Sequence, residues 1–90
     1  MSFLSRWFGP KYDDEQLESR VRAALAADPL ISDPTSLVVS SQKGVITLGG
    51  IVPKTQDKDR IEGVARNALT TAGLKHERLV NELKMPHGSS

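Results

Sequence analysis

The side chains best suited to proton transfer are the neighbours His76 and Glu77, which are followed by Arg78. An imidazole beside a carboxylate is the usual pairing of a general base with the group that orients it. Adjacent side chains of an extended segment point in opposite directions, however, and no nucleophile stands at a matching spacing. We interpret these residues as a solvated loop and predict that the chain is not an enzyme.

Metal and phosphate sites are also poorly supported. The chain has two histidines and no cysteine, so we expect neither a structural metal site nor a cofactor. Gly49-Gly50 lacks the following residues of a phosphate-binding loop, and we interpret the pair as packing of helix on strand. The 12 basic and 11 acidic residues give a net charge of +1, which disfavours nucleic acid as a partner.

The first twelve residues contain all four aromatic side chains of the chain. At helical spacing they form a short apolar strip flanked by cations, whose members are Phe3, Leu4, Arg6, Trp7, Phe8 and Lys11. Such a strip suits insertion into a membrane interface, with the cations on lipid phosphates. The alternative is that the aromatics pack on protein, either this domain, a second copy or another partner.

A second basic group, Lys54, Lys58 and Arg60, surrounds the start of a predicted helix. Free backbone N–H groups at a helix start favour an anion, so these cations are candidates for contact with a headgroup phosphate. Asp57 and Asp59 are interleaved with them, and an ordinary surface of mixed charge is the alternative. Each basic residue near anionic lipid contributes about 1 kcal/mol.

These candidates need elements to position them, and the clearest element is the stretch Lys43 to Val52. It is rich in β-branched residues, and Gly44 permits the positive φ of a tight hairpin turn. Alternation places one set of residues on the face toward the helices, namely Ile46, Leu48, Gly50 and Val52. The preceding strand is Leu37 to Ser41, and Pro53 ends the second.

Two amphipathic helices flank this hairpin. The first opens at Asp13, buries Leu17, Val21 and Leu25, and turns Glu18, Arg20 and Arg22 toward water. Leu30 and Ile31 are expected to fold under the core. The second is capped by Thr55 or Asp57, ends at Gly73, and buries Ile61, Val64 and Leu69. Gly63 within it predicts close packing against a neighbouring backbone.

Alternation from Leu79 to Met85 predicts a third strand, in which Asn81 lies on the face toward the helices. A helix separates this strand from the second, so the two are expected to run parallel through a right-handed crossover. The predicted fold is an α+β two-layer sandwich of order α-β-β-α-β, with a three-stranded mixed sheet and both helices on one face. Residues 13–85 form the domain, and residues 86–90 a loose tail.

These residues resemble the BON domain family. The resemblance rests on Ala-Leu-Ala-Ala-Asp-Pro at residues 24–29, on Gly-Val-Ile-Thr-Leu-Gly-Gly at 44–50, and on Leu79-x-Asn81-x-Leu83. The loop from Gly73 to Leu79 is longer than is usual in the family. The resemblance implies a non-catalytic binding module for phospholipid membranes or cell-envelope components. Some members of the family sense small ions or solutes.

Location and partners follow from the same features. The N-terminal segment lacks the apolar region and cleavage site of a secretory signal, and no apolar run approaches about 20 residues. We expect a protein of the cytoplasm or the inner-membrane surface, or of the periplasm if another route exports it. The expected partners are anionic phospholipid, a protein, or a second copy of the chain.

Overall fold

The computed structural model describes residues 12–31 and 33–86. The aromatic strip of residues 1–11, which includes Lys11, and most of the predicted tail lie outside the described residues. The elements, in chain order, are helix α1 (Asp14–Ala27), strands β1 (Val38–Gln42) and β2 (Val45–Gly49), helix α2 (Thr55–Ala72) and strand β3 (Arg78–Asn81). A short 3₁₀ turn, Pro34–Ser36, precedes β1. The predicted order of helices and strands is confirmed.

The sheet has the order β1-β2-β3. β1 and β2 are antiparallel, with Val39 opposite Leu48, whereas β2 and β3 are parallel, with Ile46 beside Leu79. The connection through α2 explains the parallel pairing, because two parallel strands need a long crossover. β2 ends earlier than predicted, and the pairing continues beyond it as one bridge between Ile51 and Lys84.

The β1–β2 turn is built from two residues with positive φ, Lys43 at 51° and Gly44 at 83°. This is the combination that a type I′ hairpin requires, as predicted for Gly44. Gly44 is also needed for space, since a Cβ built on it would lie 2.6 Å from ring carbons of Tyr12. The ring of Tyr12 therefore lies directly on the hairpin turn.

Both helices pack on one face of the sheet, where their apolar stripes meet the buried side chains of the strands. The core consists of Leu17, Val21, Leu25, Ile31, Val39, Ile46, Leu48, Val52, Ile61, Ala65, Leu69 and Leu83. Val64 is half-buried and packs against its margin. The opposite face of the sheet is only partly covered by the described residues, as its half-buried Val45 and Thr47 indicate. The two-layer sandwich is thus confirmed.

The structure does not bear out three predictions about single residues, which concern Gly63, Leu30 and Gly50. Gly63 is exposed, and a Cβ on it would meet no atom within 4 Å, so no described backbone packs there. Leu30 is 61% exposed while its neighbour Ile31 is buried, because only one of two consecutive residues can turn inward at this point. Gly50, with φ of 123°, approaches the carbonyl oxygen of Ser36 rather than a helix, and a Cβ would lie 3.0 Å from that oxygen.

The start of α2 also differs from the prediction. Lys54, not Thr55 or Asp57, is the capping residue, and its backbone N–H donates to Oδ2 of Asp57 at 3.2 Å. Asp57 therefore acts from the first turn, where the helix dipole favours an acid. The predicted end at Gly73 is confirmed, with the glycine in the left-handed conformation at φ of 69°.

Candidate functional site

Asp14, in the first turn of α1, binds the hairpin turn of the sheet. Its Oδ1 accepts from the Ser41 hydroxyl at 2.7 Å and from the Gly44 N–H at 2.9 Å. Its Oδ2 accepts from the Lys43 N–H at 2.8 Å. These donors, the Gly44 N–H first and then the Ser41 hydroxyl, lower the pKa of the Asp14 carboxyl. The carboxylate thus fastens the helix to the turn in its charged form.

Glu18 and Arg22 continue this row along α1 and reach the outer edge of β1. Glu18 Oε2 accepts from the Ser41 N–H at 2.9 Å, and Arg22 Nη2 donates to the Val39 carbonyl at 2.9 Å. The two side chains also pair with each other at 3.3 Å. The prediction that these side chains face water is confirmed for Arg22, which is 60% exposed, whereas Glu18 is half-buried. Both also bond to backbone groups at the edge of β1, which the sequence did not predict. Occupying those groups blunts an edge that could pair with another chain.

At the opposite edge of the sheet, Asn81 joins β3 to α2. Its amide donates to the Lys58 carbonyl at 3.1 Å and to Glu62 Oε1 at 3.0 Å, and its oxygen accepts from the Leu83 N–H at 3.0 Å. Glu62 also pairs with Arg66, and the hydrogen bonds from Asn81 and then Arg66 lower the pKa of Glu62. Asn81 was predicted as a structural residue, and these three bonds give it that role.

The loop that sequence reasoning considered for proton transfer is used for packing. Tyr12 donates its hydroxyl to Glu77 Oε1 at 2.7 Å, and that carboxylate raises the pKa of Tyr12. The Glu77 N–H in turn donates to the Gly44 carbonyl at 2.7 Å. Tyr12, the first described residue, therefore lies at the hairpin end of the sheet.

The three basic residues predicted near the start of α2 do not form one group. Lys58 and Arg60 are two positions apart on a helix, so they point about 200° apart. Arg60 faces the end of α1, with its Nη1 3.9 Å from Asp28 Oδ2. Lys54 caps α2 and Lys58 lies in its first turns, so the two lysines lie at the same end of the helix. The structure thus separates Arg60 from the two lysines.

A third lysine lies close to this pair. Lys84 pairs with Ile51. The next residue is Met85, whose Sδ accepts a hydrogen bond from the Thr55 hydroxyl at 3.2 Å. The segment after β3 therefore lies beside the start of α2. We call Ile51, Lys54, Lys58 and Lys84 the lysine end of the domain.

The lysine end also carries apolar surface. Ile51 is 63% exposed, and Val38, which pairs with Gly49 two residues before Ile51, is 60% exposed. The predicted alternation, with Gly50 and Val52 toward the helices, leaves Ile51 on the open face of the sheet, but it does not connect Ile51 with Lys84. That neighbour could not be found from the sequence, because the register of β3 was needed to bring the two residues together.

Within the described residues, no group of three His, Cys, Asp or Glu side chains is placed to hold a metal ion. Neither α1 nor α2, the helices in this part of the chain, has the length and apolar character needed to cross a bilayer.

The protein is a small two-layer α+β domain. Hydrogen bonds of Asp14, Glu18, Arg22 and Asn81 join its helices to the sheet. Residues 13–73 match the family model of the BON domain, which covers more than half of the chain, and the protein belongs to the BON family. BON domains are binding modules of a non-catalytic type. The match ends at Gly73, where the longer loop to β3 begins. Among curated proteins, none matches the sequence.

Proposed function

We propose that this BON domain binds the surface of an anionic phospholipid membrane through its lysine end, with the aromatic side chains of residues 1–11 as a second contact. The observation that carries the proposal is the exposed Ile51 paired with Lys84. An aliphatic side chain bordered by lysines matches a lipid interface, where acyl chains lie directly beneath charged phosphates.

The expected binding is weak and reversible. The three lysines, Lys54, Lys58 and Lys84, would each contribute about 1 kcal/mol near anionic lipid. Asp57 lies at the same helix start, where its carboxylate accepts the Lys54 N–H, and its negative charge subtracts from this attraction. Burial of Ile51 would add about 2 kcal/mol. The lysines are exposed or half-buried, so dissolved salt screens their charges. Binding to anionic lipid should therefore weaken as the ionic strength rises.

Vesicle co-sedimentation tests the lysine end directly. The full chain should sediment with vesicles of phosphatidylcholine and phosphatidylglycerol, and not with phosphatidylcholine alone. The double variant Lys54→Glu/Lys84→Glu should bind at least tenfold more weakly, because two attractions become repulsions. The matched control is Arg20→Glu/Lys75→Glu, which changes the same charge at exposed residues away from the lysine end and should bind like the parent.

Two further arms separate the contacts. Ile51→Ser keeps every charge and should lower binding roughly thirtyfold, the equivalent of about 2 kcal/mol. A chain that begins at Lys11 lacks the aromatic side chains of residues 1–10 and tests their contribution separately. Equal loss of binding in the two charge variants would contradict the role of the lysine end. If the full chain sediments with neither kind of vesicle, lipid binding is contradicted. The competing hypothesis, that the domain binds a protein, is then favoured.

A further inference from the structure

The outer side of α2, which faces away from the sheet, contains a glycine that the described chain does not explain. Gly63 is exposed in mid-helix, a position where glycine is destabilising, and a Cβ there would meet nothing within 4 Å. It lies on the floor of an open groove beside Leu30, Arg60, Val64 and Asn67. A glycine in a groove floor allows another backbone to approach closely.

The polar residues around Gly63 are arranged symmetrically in the sequence. The outer side of the helix includes Gln56, Asp59, Gly63, Asn67 and Thr70, with spacings of 3, 4, 4 and 3 residues. Such a pattern reads similarly in both directions from the glycine. In two antiparallel helices that cross at this glycine, each residue before Gly63 in one copy therefore lies at the same height along the axis as the residue equally far after Gly63 in the other.

We propose that two copies of the chain associate through this side of α2, with the helices antiparallel and Gly63 at the two-fold axis. The helical rotation of 100° per residue puts Asp59 and Arg66 on the same flank of Gly63, four residues before it and three after it. In the antiparallel pair, Asp59 of one copy lies within about 1.5 Å along the axis of Arg66 of the other. The symmetry forms this ion pair twice.

The opposite flank is compatible with the same arrangement. Arg60 and Asn67 lie three residues before and four after Gly63, so Arg60 of one copy faces the amide of Asn67 of the other. The guanidinium of Arg66 is more than half exposed although it pairs with Glu62, so it can reach a second carboxylate. Leu30, exposed at the side of the groove, would be covered by the second helix.

A second copy fits this surface better than an unrelated partner, because the surface is complementary to itself. Each flank carries the acid or amide that its own cation needs under a two-fold rotation. The face lies on the helix layer, opposite the open side of the sheet, and so the proposal is independent of lipid binding.

Sedimentation equilibrium of the full chain over a range of concentrations tests the dimer, and charge exchange tests its geometry. Asp59→Arg and Arg66→Asp should each weaken dimerisation at least tenfold, because two attractions become two repulsions. The double variant Asp59→Arg/Arg66→Asp restores opposite charges across the axis and should recover most of the association. The control, Glu15→Arg, alters an exposed residue of α1 and should dimerise like the parent.

Gly63→Ala provides a readout that a folding defect would not imitate. Alanine should raise the thermal stability of the isolated monomer at low concentration and weaken dimerisation, because its methyl group occupies the crossing point. A chain that remains monomeric at millimolar concentration would overturn the proposal. A dimer that is equally weakened by the double variant and by the single ones would overturn it as well.

Discussion

The two helices are held to the sheet by two different polar side chains, and the difference separates a charged fastening from a neutral one. Asp14 reaches from α1 to the β1–β2 hairpin and accepts three hydrogen bonds there. Asn81 reaches from β3 to α2 with two hydrogen bonds and accepts a third from the Leu83 N–H of its own segment. The carboxylate accepts all of its bonds, two of them from backbone N–H groups. The amide donates two and accepts one. Only the fastening of α1 therefore depends on the charge of its own side chain.

The location of the carboxylate adds to this difference. Asp14 stands in the first turn of α1, where the helix dipole favours a negative charge. The same charge thus stabilises the helix start and the hairpin turn, so that protonation weakens both. Asn81 lies outside a helix and has one role. Three substitutions test this comparison, beginning with the core that both fastenings serve.

Leu48→Ala should have the largest effect. Leu48 is buried in β2, between β1 and β3, and removing its side chain leaves a cavity under both helices. We expect a loss of about 2–4 kcal/mol in the free energy of unfolding, measured by urea denaturation. An exposed strand residue changed in the same way, Gln42→Ala, should unfold like the parent. A loss below about 1 kcal/mol for Leu48→Ala would show that the core is less tightly packed than described.

Asp14→Asn should have a smaller effect, and one that depends on pH. The folded-state pKa of Asp14 is lowered, so its contribution is fully present above the unfolded value of about 3.9 and is lost as pH falls through the folded value. The parent should therefore be more stable than the variant at pH 7, and the difference should narrow between about pH 5 and pH 2.

Thermal melts of parent and Asp14→Asn across that range provide the measurement. Glu62, whose pKa is also lowered, titrates in both proteins, so the difference between them isolates Asp14. A gap in stability that stays constant from pH 7 to pH 2 would mean that Asp14 acts through shape rather than charge.

Asn81→Ala should have the smallest effect of the three, about 1–2 kcal/mol, because two of its three partners, Lys58 and Glu62, are half-buried and remain within reach of water. Loss of its donor to Glu62 should also raise the pKa of that carboxyl, which can be followed by NMR titration. An unchanged Glu62 titration, with Arg66 still in place, would assign the lowered pKa to the arginine alone.

The fold could be predicted from the sequence where burial follows a regular period. The spacing of Leu17, Val21 and Leu25 and the alternation around Ile46 and Leu48 each identify a buried face without knowledge of the partner element. Gly44 was identified for a similar reason, because a hairpin turn has a local requirement for positive φ. These features depend on near neighbours in the chain.

The contacts of the site residues were harder to predict, because the residues that they contact are distant in sequence. The positions of Glu18 and Arg22 on α1 follow from the sequence, but their hydrogen bonds to the edge of β1 cannot be found until β1 is placed beside α1. Gly63 signals a close approach but not from which side, and the described chain places nothing against it. Arg60 was grouped with Lys58 by sequence proximity, although helical rotation and Asp28 draw it away. In each of these cases the missing information was the position of a second element.

Tyr12 also fixes the point at which residues 1–11 join the described domain. Its contacts with Gly44 and Glu77 fix residue 12 at the hairpin end, and the six-residue step along β2 from Gly44 to Gly50 puts the lysine end about 20 Å away. Eleven residues can extend to about 38 Å at most, which exceeds that span. Under the proposed membrane binding, this length of chain is sufficient for the aromatic residues and the lysine end to engage one surface together, which would bind it more tightly than either contact alone.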